Sequence, residues 1–251
     1  MLSRDLVWAL DAAIWAREAL GFSPDPWQAA VLRSDASRQL LLCCRQSGKS
    51  TTTALVALQT ATYRPGSLVL LLSPSLRQSG ELFRKVAGFY GQLRHPVPPE
   101  AESALRLELT NGSRIVSLPG TENTVRGYSG VDLLVIDEAS RVEDALYYAV
   151  RPMLAVSKGR LIALSTPWGK RGWYFHEYTE GGSDWQRVRV PADQCQRITP
   201  EFLAQERASM PLEWWRQEYC CEFTDMGMSL LSYEQAMTCV TDKVESFIKR
   251  S

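Results

Sequence analysis

The chain has 251 residues, 45% hydrophobic and 22% charged, a balance that supports a packed core and excludes a disordered or low-complexity polymer. Lys and Arg together number 28, as do Asp and Glu, so the net charge is zero and any surface for a polyanion has to be a local patch. Six cysteines without C-x-x-C spacing argue against zinc and for reduced thiols in a cytosolic compartment, and no apolar run is long enough to span a membrane.

Nothing at the N-terminus reads as a signal peptide. Apolar residues at helical spacing (Leu6, Leu10, Ala13, Ile14) predict one amphipathic helix over residues 2–20, ending at Gly21. A Pro-rich entry, Ser23-Pro24-Asp25-Pro26, leads to a short helix over 28–32. Trp27-Gln28 allows two readings: an aromatic and an amide that read an adenine, or a packed tryptophan beside a surface glutamine.

Leu40-Leu41-Leu42-Cys43-Cys44 is a short apolar run that breaks into Arg45-Gln46-Ser47-Gly48-Lys49-Ser50-Thr51 and then into a helix. Strand, tight turn and helix with Gly-Lys-Ser at the junction is the layout of a phosphate-binding P-loop, in which free N–H groups at a helix start meet the anion. Lys49 would reach the terminal phosphates and the Ser50 hydroxyl would ligate Mg²⁺. Cys43 stands where the common motif has its first glycine, so the loop alone is also compatible with an ordinary strand-to-helix turn.

Residues 67–73 form a second apolar strand, followed by Arg77 and Gln78 and a helix over 80–93. Residues 96–100 read as a Pro-rich loop, and 105–109 with 114–118 flank Asn111-Gly112 as a hairpin. A polar loop containing Arg126 runs into the apolar strand Leu133-Leu134-Val135-Ile136, which ends in Asp137-Glu138. Two carboxylates at the end of a buried strand are costly without a cation, so Asp137 reads as a metal-shell ligand and Glu138 as the group that orients or deprotonates a water. Taken alone, the stretch also fits a strand leaving for solvent.

A helix over 142–156 and a strand over 160–165 follow. Ser165-Thr166 is either a contact to a γ-phosphate or a capping turn before Trp168. From Lys170 the texture turns to Trp, Tyr, Arg and Gly, with a strand over 185–190, helices over 202–210 and 212–220, and a last amphipathic helix over 229–251. The expectation is an α/β protein with a mostly parallel sheet flanked by helices over residues 1–169, and a small subdomain with a tail over 170–251.

With these stretches in order, the chain resembles the ATPase domain of large terminase subunits, the DNA-packaging motors of tailed bacteriophages. The resemblance rests on Trp27-Gln28, Arg45 to Ser50, Ser73 to Ser79, Leu109 to Ile115, Arg126-Gly127, Leu134 to Ala139, Ser165-Thr166-Pro167 and Gln217 to Phe223. It implies a P-loop NTPase fold of the ASCE, RecA-like type with a C-terminal lid or linker subdomain, and ATP with Mg²⁺ as substrate and cofactor. The family's loop commonly lacks the first glycine and carries an arginine before Gln-x-Gly-Lys, which accounts for Cys43 and Arg45.

The resemblance further implies that Trp27 and Gln28 read adenine and that Gln46 to Thr51 cradle phosphate. Ser50 and Asp137 would hold the metal, Glu138 would be the catalytic carboxylate, and Ser165-Thr166 would couple hydrolysis to movement. Arg45 is the arginine expected to act in cis; Arg126 is the candidate to act in trans, with Arg141 as its alternative. Expected partners are double-stranded DNA, a portal protein, a small terminase subunit and further copies of the chain in a ring on the procapsid. The expected location is the host cytoplasm, away from membrane. The isolated domain is expected to be monomeric and slow. Arg77, Arg84, Lys85, Arg94, Lys170 and Arg171 are candidate DNA contacts or solvated surface charges. Large terminases continue into a ribonuclease-H-like nuclease domain, and no carboxylate cluster follows Phe223, so no cleavage is expected of this segment. Two other functions remain compatible with the residues: the first RecA-like half of a helicase, and a nucleotide-gated binding module with negligible turnover.

Overall fold

Continuous apolar runs in this chain become the inner strands of one sheet, because parallel strands covered by helices on both faces have no polar side to show. The computed structural model describes residues 2–93, 96–120, 125, 127–225, 237, 238 and 240. Its strands are β1 (Arg38–Cys43), β2 (Leu68–Ser73), β3 (Pro99–Ser103), β4 (Arg106–Leu109), β5 (Arg114–Pro119), β6 (Leu133–Asp137), β7 (Arg160–Ser165) and β8 (Gln186–Val190). They lie in one sheet in the order β3-β4-β5-β2-β6-β7-β1-β8. From β5 to β8 every neighbouring pair is parallel; β4 and β3 add an antiparallel edge.

The helices are α1 (Leu2–Leu10), α2 (Ala12–Leu20), α3 (Pro26–Arg33), α4 (Lys49–Tyr63), α5 (Leu76–Gln92), α6 (Asp144–Val150), α7 (Gly172–Thr179), α8 (Pro200–Ser209) and α9 (Leu212–Glu218). The core runs along β1, β2, β6 and β7 and under α4, whose Ala54, Leu55, Ala57 and Leu58 are fully buried.

This order puts β7 between β1 and β6, with Leu42 opposite Ser165 and Asp137 opposite Leu164. The carboxyl ends of three strands therefore arrive at one level. That is the edge where open parallel sheets bind ligands.

Several expectations change. The N-terminal helix is two helices: Asp11 leaves helical geometry (φ −131°) and its Oδ1 accepts from the backbone N–H of Ala13 and of Ile14, capping α2. The helix after β2 begins at Leu76 rather than residue 80, because the Ser75 hydroxyl accepts from Gln78 N–H and caps it there. Residues 99–103, inside and beyond the expected Pro-rich loop, form the edge strand β3 against β4, where proline at the strand start loses no ladder bond. The helix expected over 142–156 is α6 followed by a 3₁₀ turn at Arg151–Leu154, since Pro152 cannot donate to the α ladder.

The boundary expected at 169/170 falls within the sheet, for β8 pairs with β1 from Gln39↔Gln186 to Cys43↔Val190. The Asn-Gly hairpin is present, with Gly112 at φ +81° and Asn111 Nδ2 donating to Ala61 O at 2.9 Å. Apart from residues 237, 238 and 240, the helix expected over 229–251 lies outside the described residues, as does Arg126. No helix among the described residues is long and apolar enough to cross a membrane, and their five cysteines are free thiols.

Candidate nucleotide site

β1 delivers its chain into a loop that turns on two positive-φ residues, Gln46 (φ +60°) and Gly48 (φ +89°), before α4 starts at Lys49. A side chain at Gly48 would be strained by its positive φ, and its Cβ would press on the ends of two side chains, Gln28 Nε2 at 2.7 Å and Arg197 Nη2 at 3.1 Å. Ser47 Oγ closes the turn by donating to Cys44 O at 2.9 Å. The first N–H groups of α4 carry no capping side chain and are left to face an anion.

Opposite the loop, β6 ends in Asp137, and Glu138 adopts a left-handed conformation (φ +50°) that turns its side chain toward Lys49. Lys49 Nζ lies 3.3 Å from Glu138 Oε1. Ser50 Oγ donates to Asp137 Oδ2 at 3.2 Å, and Asp137 Oδ1 accepts Glu138 N–H at 3.0 Å. Burial works to lower the Lys49 pKa, but Glu138 and then Asp137 outweigh it and hold the ammonium above its usual value. Asp137 moves the other way: burial, then the Glu138 carboxylate, push its acid up to about 6. A buried carboxylate so disfavoured, beside a serine hydroxyl, is a pair of hard oxygen donors that fits a divalent cation such as Mg²⁺.

These groups open on a cavity of about 1250 Å³. Arg45 to Thr51, Glu138 and Thr166 line it, as does Gln78 from the start of α5; Arg77 beside it is exposed and does not. Ser165 stands behind the wall, its Oγ 2.6 Å from Ser140 Oγ, while Ser140 also donates to Thr166 O at 2.8 Å. Gln28 is buried against Gly48; its Oε1 accepts Asp25 N–H in the capping box of α3, and its Nε2 has no hydrogen-bond partner among the described residues. Trp27 packs on the core and does not line the cavity. Arg45 lines the cavity but is ion-paired to Glu218 at the end of α9.

Of the other cavity residues, Arg197, Ile198 and Phe202 belong to no motif read from the sequence. Arg197 reaches in after β8, donating from Nη2 to Ser47 O at 2.6 Å and pairing with Asp25 at 2.9 Å. Ile198, Phe202 and Tyr219 form the wall on the α8–α9 side, and Arg141 stands beside Glu138. Lys85, by sequence a candidate DNA contact or a solvated surface charge, is exposed, lines this cavity and donates to Thr51 Oγ1 at 3.3 Å. Arg84 is paired with Glu81 at 2.7 Å and Lys170 with Asp225 at 3.2 Å; Arg94 lies outside the described residues.

A parallel sheet with β7 inserted between the loop strand and the carboxylate strand, and a lysine–serine loop facing two acids, defines a RecA-like P-loop α/β protein. The family described as terminase large subunit, T4likevirus-type, N-terminal, matches residues 40–236, and the chain belongs to it. The large terminase subunit of Thermus phage G20c is 27% identical over 251 residues, which covers 86% of this chain and 52% of the relative, so the chain spans about half that relative's length. The large terminase ATPase domain of Thermus phage P74-26 superimposes with a TM-score of 0.74 at 24% identity, over 86% of this chain and 100% of that one. The large terminase of a thermophilic bacteriophage in complex with ATP-gamma-S gives a TM-score of 0.60 at 13% identity, over 86% of this chain and 52% of that one.

Proposed function

We propose that this chain is the ATP-hydrolysing domain of a viral packaging motor that drives double-stranded DNA into a procapsid. The observation that carries the reading is the double apposition of loop and strand: Lys49 on Glu138 at 3.3 Å and Ser50 on Asp137 at 3.2 Å, at the mouth of one cavity. In this reading the α4 N-terminal N–H groups and Lys49 bind the β- and γ-phosphates. Ser50 and Asp137 hold Mg²⁺, which when bound neutralises charge on the phosphate oxygens. Glu138 accepts the proton of the attacking water, and Gln28 offers its unpaired amide to the base. Ser165 and Thr166, tied to Ser140, carry the change onward. ATP is supported as the ligand by the ATP-gamma-S complex of the thermophilic-phage terminase.

The same reading places a lid or linker in the segment after β8, with α8 and α9, and makes Arg126 the arginine offered to a neighbouring copy in a ring. It names the portal protein and small terminase subunit as partners in the host cytoplasm. The test is phosphate release from ATP by the wild-type chain and Glu138→Gln, with and without double-stranded DNA. Wild-type turnover that falls by about 10²-fold or more in the variant is expected; equal inactivity at high protein concentration would overturn the reading.

A further inference from the structure

Arg141 is joined to Glu138 by a single turn: its N–H donates to Glu138 O at 2.9 Å, closing the 3₁₀ segment Ala139–Arg141. Its guanidinium carbon lies 3.8 Å from the centroid of the Trp168 ring, and its Nε lies 3.9 Å from Glu138 Oε2. Both Arg141 and Glu138 line the cavity. Between them in sequence, the Ser140 hydroxyl sits 2.6 Å from Ser165 Oγ and donates to Thr166 O. The turn after β6 is thus fastened to the segment after β7 by an arginine–indole stack and by the serine contacts. A planar guanidinium on an indole face is held in orientation as well as position, which an ammonium would not be.

Glu138 has two cations beside it, and the nearer is Lys49. A polyphosphate in the loop draws Lys49 away, because a phosphate oxygen carries more charge than the carboxylate it replaces. Arg141 is then the cation that stays with Glu138. A separation of 3.9 Å is at the outer limit of an ion pair, so Arg141 steers the carboxylate while leaving an oxygen lone pair free for a water.

We propose that Arg141, pinned by Trp168, is a positioning residue that holds the Glu138 carboxylate in its working orientation once Lys49 has moved to phosphate. The assignment rests on the hydrolytic reading of the site given above. It also takes Arg141 out of the role of an arginine donated to a neighbour, since the residue is engaged in its own cavity.

The experiment is steady-state phosphate release by the whole chain with Mg²⁺ and ATP, alongside calorimetric affinity for ATP-gamma-S. The variants are Arg141→Leu, Arg141→Lys, Trp168→Leu and Trp168→Phe, with Arg141→Leu repeated on the Glu138→Gln background. The expected result for Arg141→Leu is a kcat lower by up to about 10²-fold, with KM and ATP-gamma-S affinity unchanged. Arg141→Lys recovers part of the loss, and Trp168→Phe, which keeps an aromatic face, loses less than Trp168→Leu. On the Glu138→Gln background Arg141→Leu costs nothing further, because a positioning residue has nothing left to position. Unchanged kcat in Arg141→Leu, additive losses in the double variant, or a loss confined to KM and affinity would overturn the assignment while leaving the hydrolytic reading intact. A wild-type chain that binds ATP-gamma-S but releases no phosphate would overturn both.

Discussion

Lys49 Nζ sits 3.3 Å from Glu138 Oε1, so the loop lysine and the strand-end carboxylate neutralise each other across the cavity mouth. Both are largely withdrawn from water, and a polyphosphate has to break the pair to gain the lysine. Removing the negative charge without changing shape therefore frees Lys49 for the ligand. Glu138→Gln is expected to bind ATP-gamma-S about 2- to 10-fold more tightly than wild type, the size of one net hydrogen bond. Isothermal calorimetry checks this; weaker binding would mean that Glu138 holds Lys49 ready and does not compete for it.

Asp137 makes stability depend on pH and on metal. Its folded pKa of about 6 lies above the ordinary 3.8, raised first by burial and then by Glu138. The protonated acid favours the folded state, so this contribution is full below pH 3.8 and is lost as pH rises through about 6. Above that the metal-free chain carries a disfavoured carboxylate costing about 3 kcal/mol. Asp137→Asn is expected to melt at a higher temperature than wild type at about pH 8 without metal, with the gap closing as pH falls below about 6. The same variant loses the rise in melting temperature that Mg²⁺ with ATP-gamma-S gives wild type. Calorimetric melts across pH decide both.

Asp11 joins two helices, capping α2 through Oδ1 and pairing with Arg33 at the end of α3 through Oδ2 at 2.8 Å. Burial would raise its pKa, but the N–H of Ile14 and the side chain of Arg33 outweigh it and hold the carboxyl below its usual value. Its stabilisation is present above pH 3.8 and is lost as pH falls through the lowered value. Asp11→Ala is expected to cost about 1–2 kcal/mol at about pH 7, mostly from the cap, read as a shift of the urea midpoint at constant slope.

Legibility in the sequence tracked how local the cause was. β1, β2, β6 and β7 were readable because a buried parallel strand is apolar along most of its length, and each run is closed by polar residues that mark its end. The break at Asp11 was hidden, since apolar spacing continues through it and only the side-chain cap interrupts the helix. β8 read as part of a separate subdomain because its residues alternate, as an edge strand does, although its partner is β1. Lys85 read as surface charge and is exposed; that it also borders the cavity was hidden, because nothing in its own helix shows that the cavity passes beside it. Arg45 lines the cavity as its place in the loop suggested; its ion pair with Glu218 spans 173 residues and leaves no local pattern.

Arg197 is the extreme of that blindness and the most testable part of the wall. It is 150 residues from Ser47, follows no recognisable motif, and from Nη2 makes a hydrogen bond to the Ser47 carbonyl at 2.6 Å and an ion pair with Asp25 Oδ2 at 2.9 Å. Asp25 opens α3, which carries Gln28, and its side chain is only 9% exposed. One guanidinium thus fixes the phosphate loop, the helix bearing Gln28 and the segment entering α8 in a single arrangement. Truncation leaves a nearly buried carboxylate without its cation, and Arg197→Ala is expected to cost about 1–3 kcal/mol of stability. Affinity for ATP-gamma-S should fall as well, since the loop loses its outer brace. Arg197→Lys is expected to restore part of the loss, because both contacts are made from the single nitrogen Nη2 and an ammonium of sufficient reach supplies the same charge and donors. Adding Asp25→Asn to Arg197→Ala should recover stability, by removing the charge left unpaired, but not affinity, which needs the brace on Ser47. Urea titration and calorimetry of the four chains separate the two effects. Full recovery of affinity in the double variant would show that Arg197 acts only on Asp25 and leaves the loop untouched.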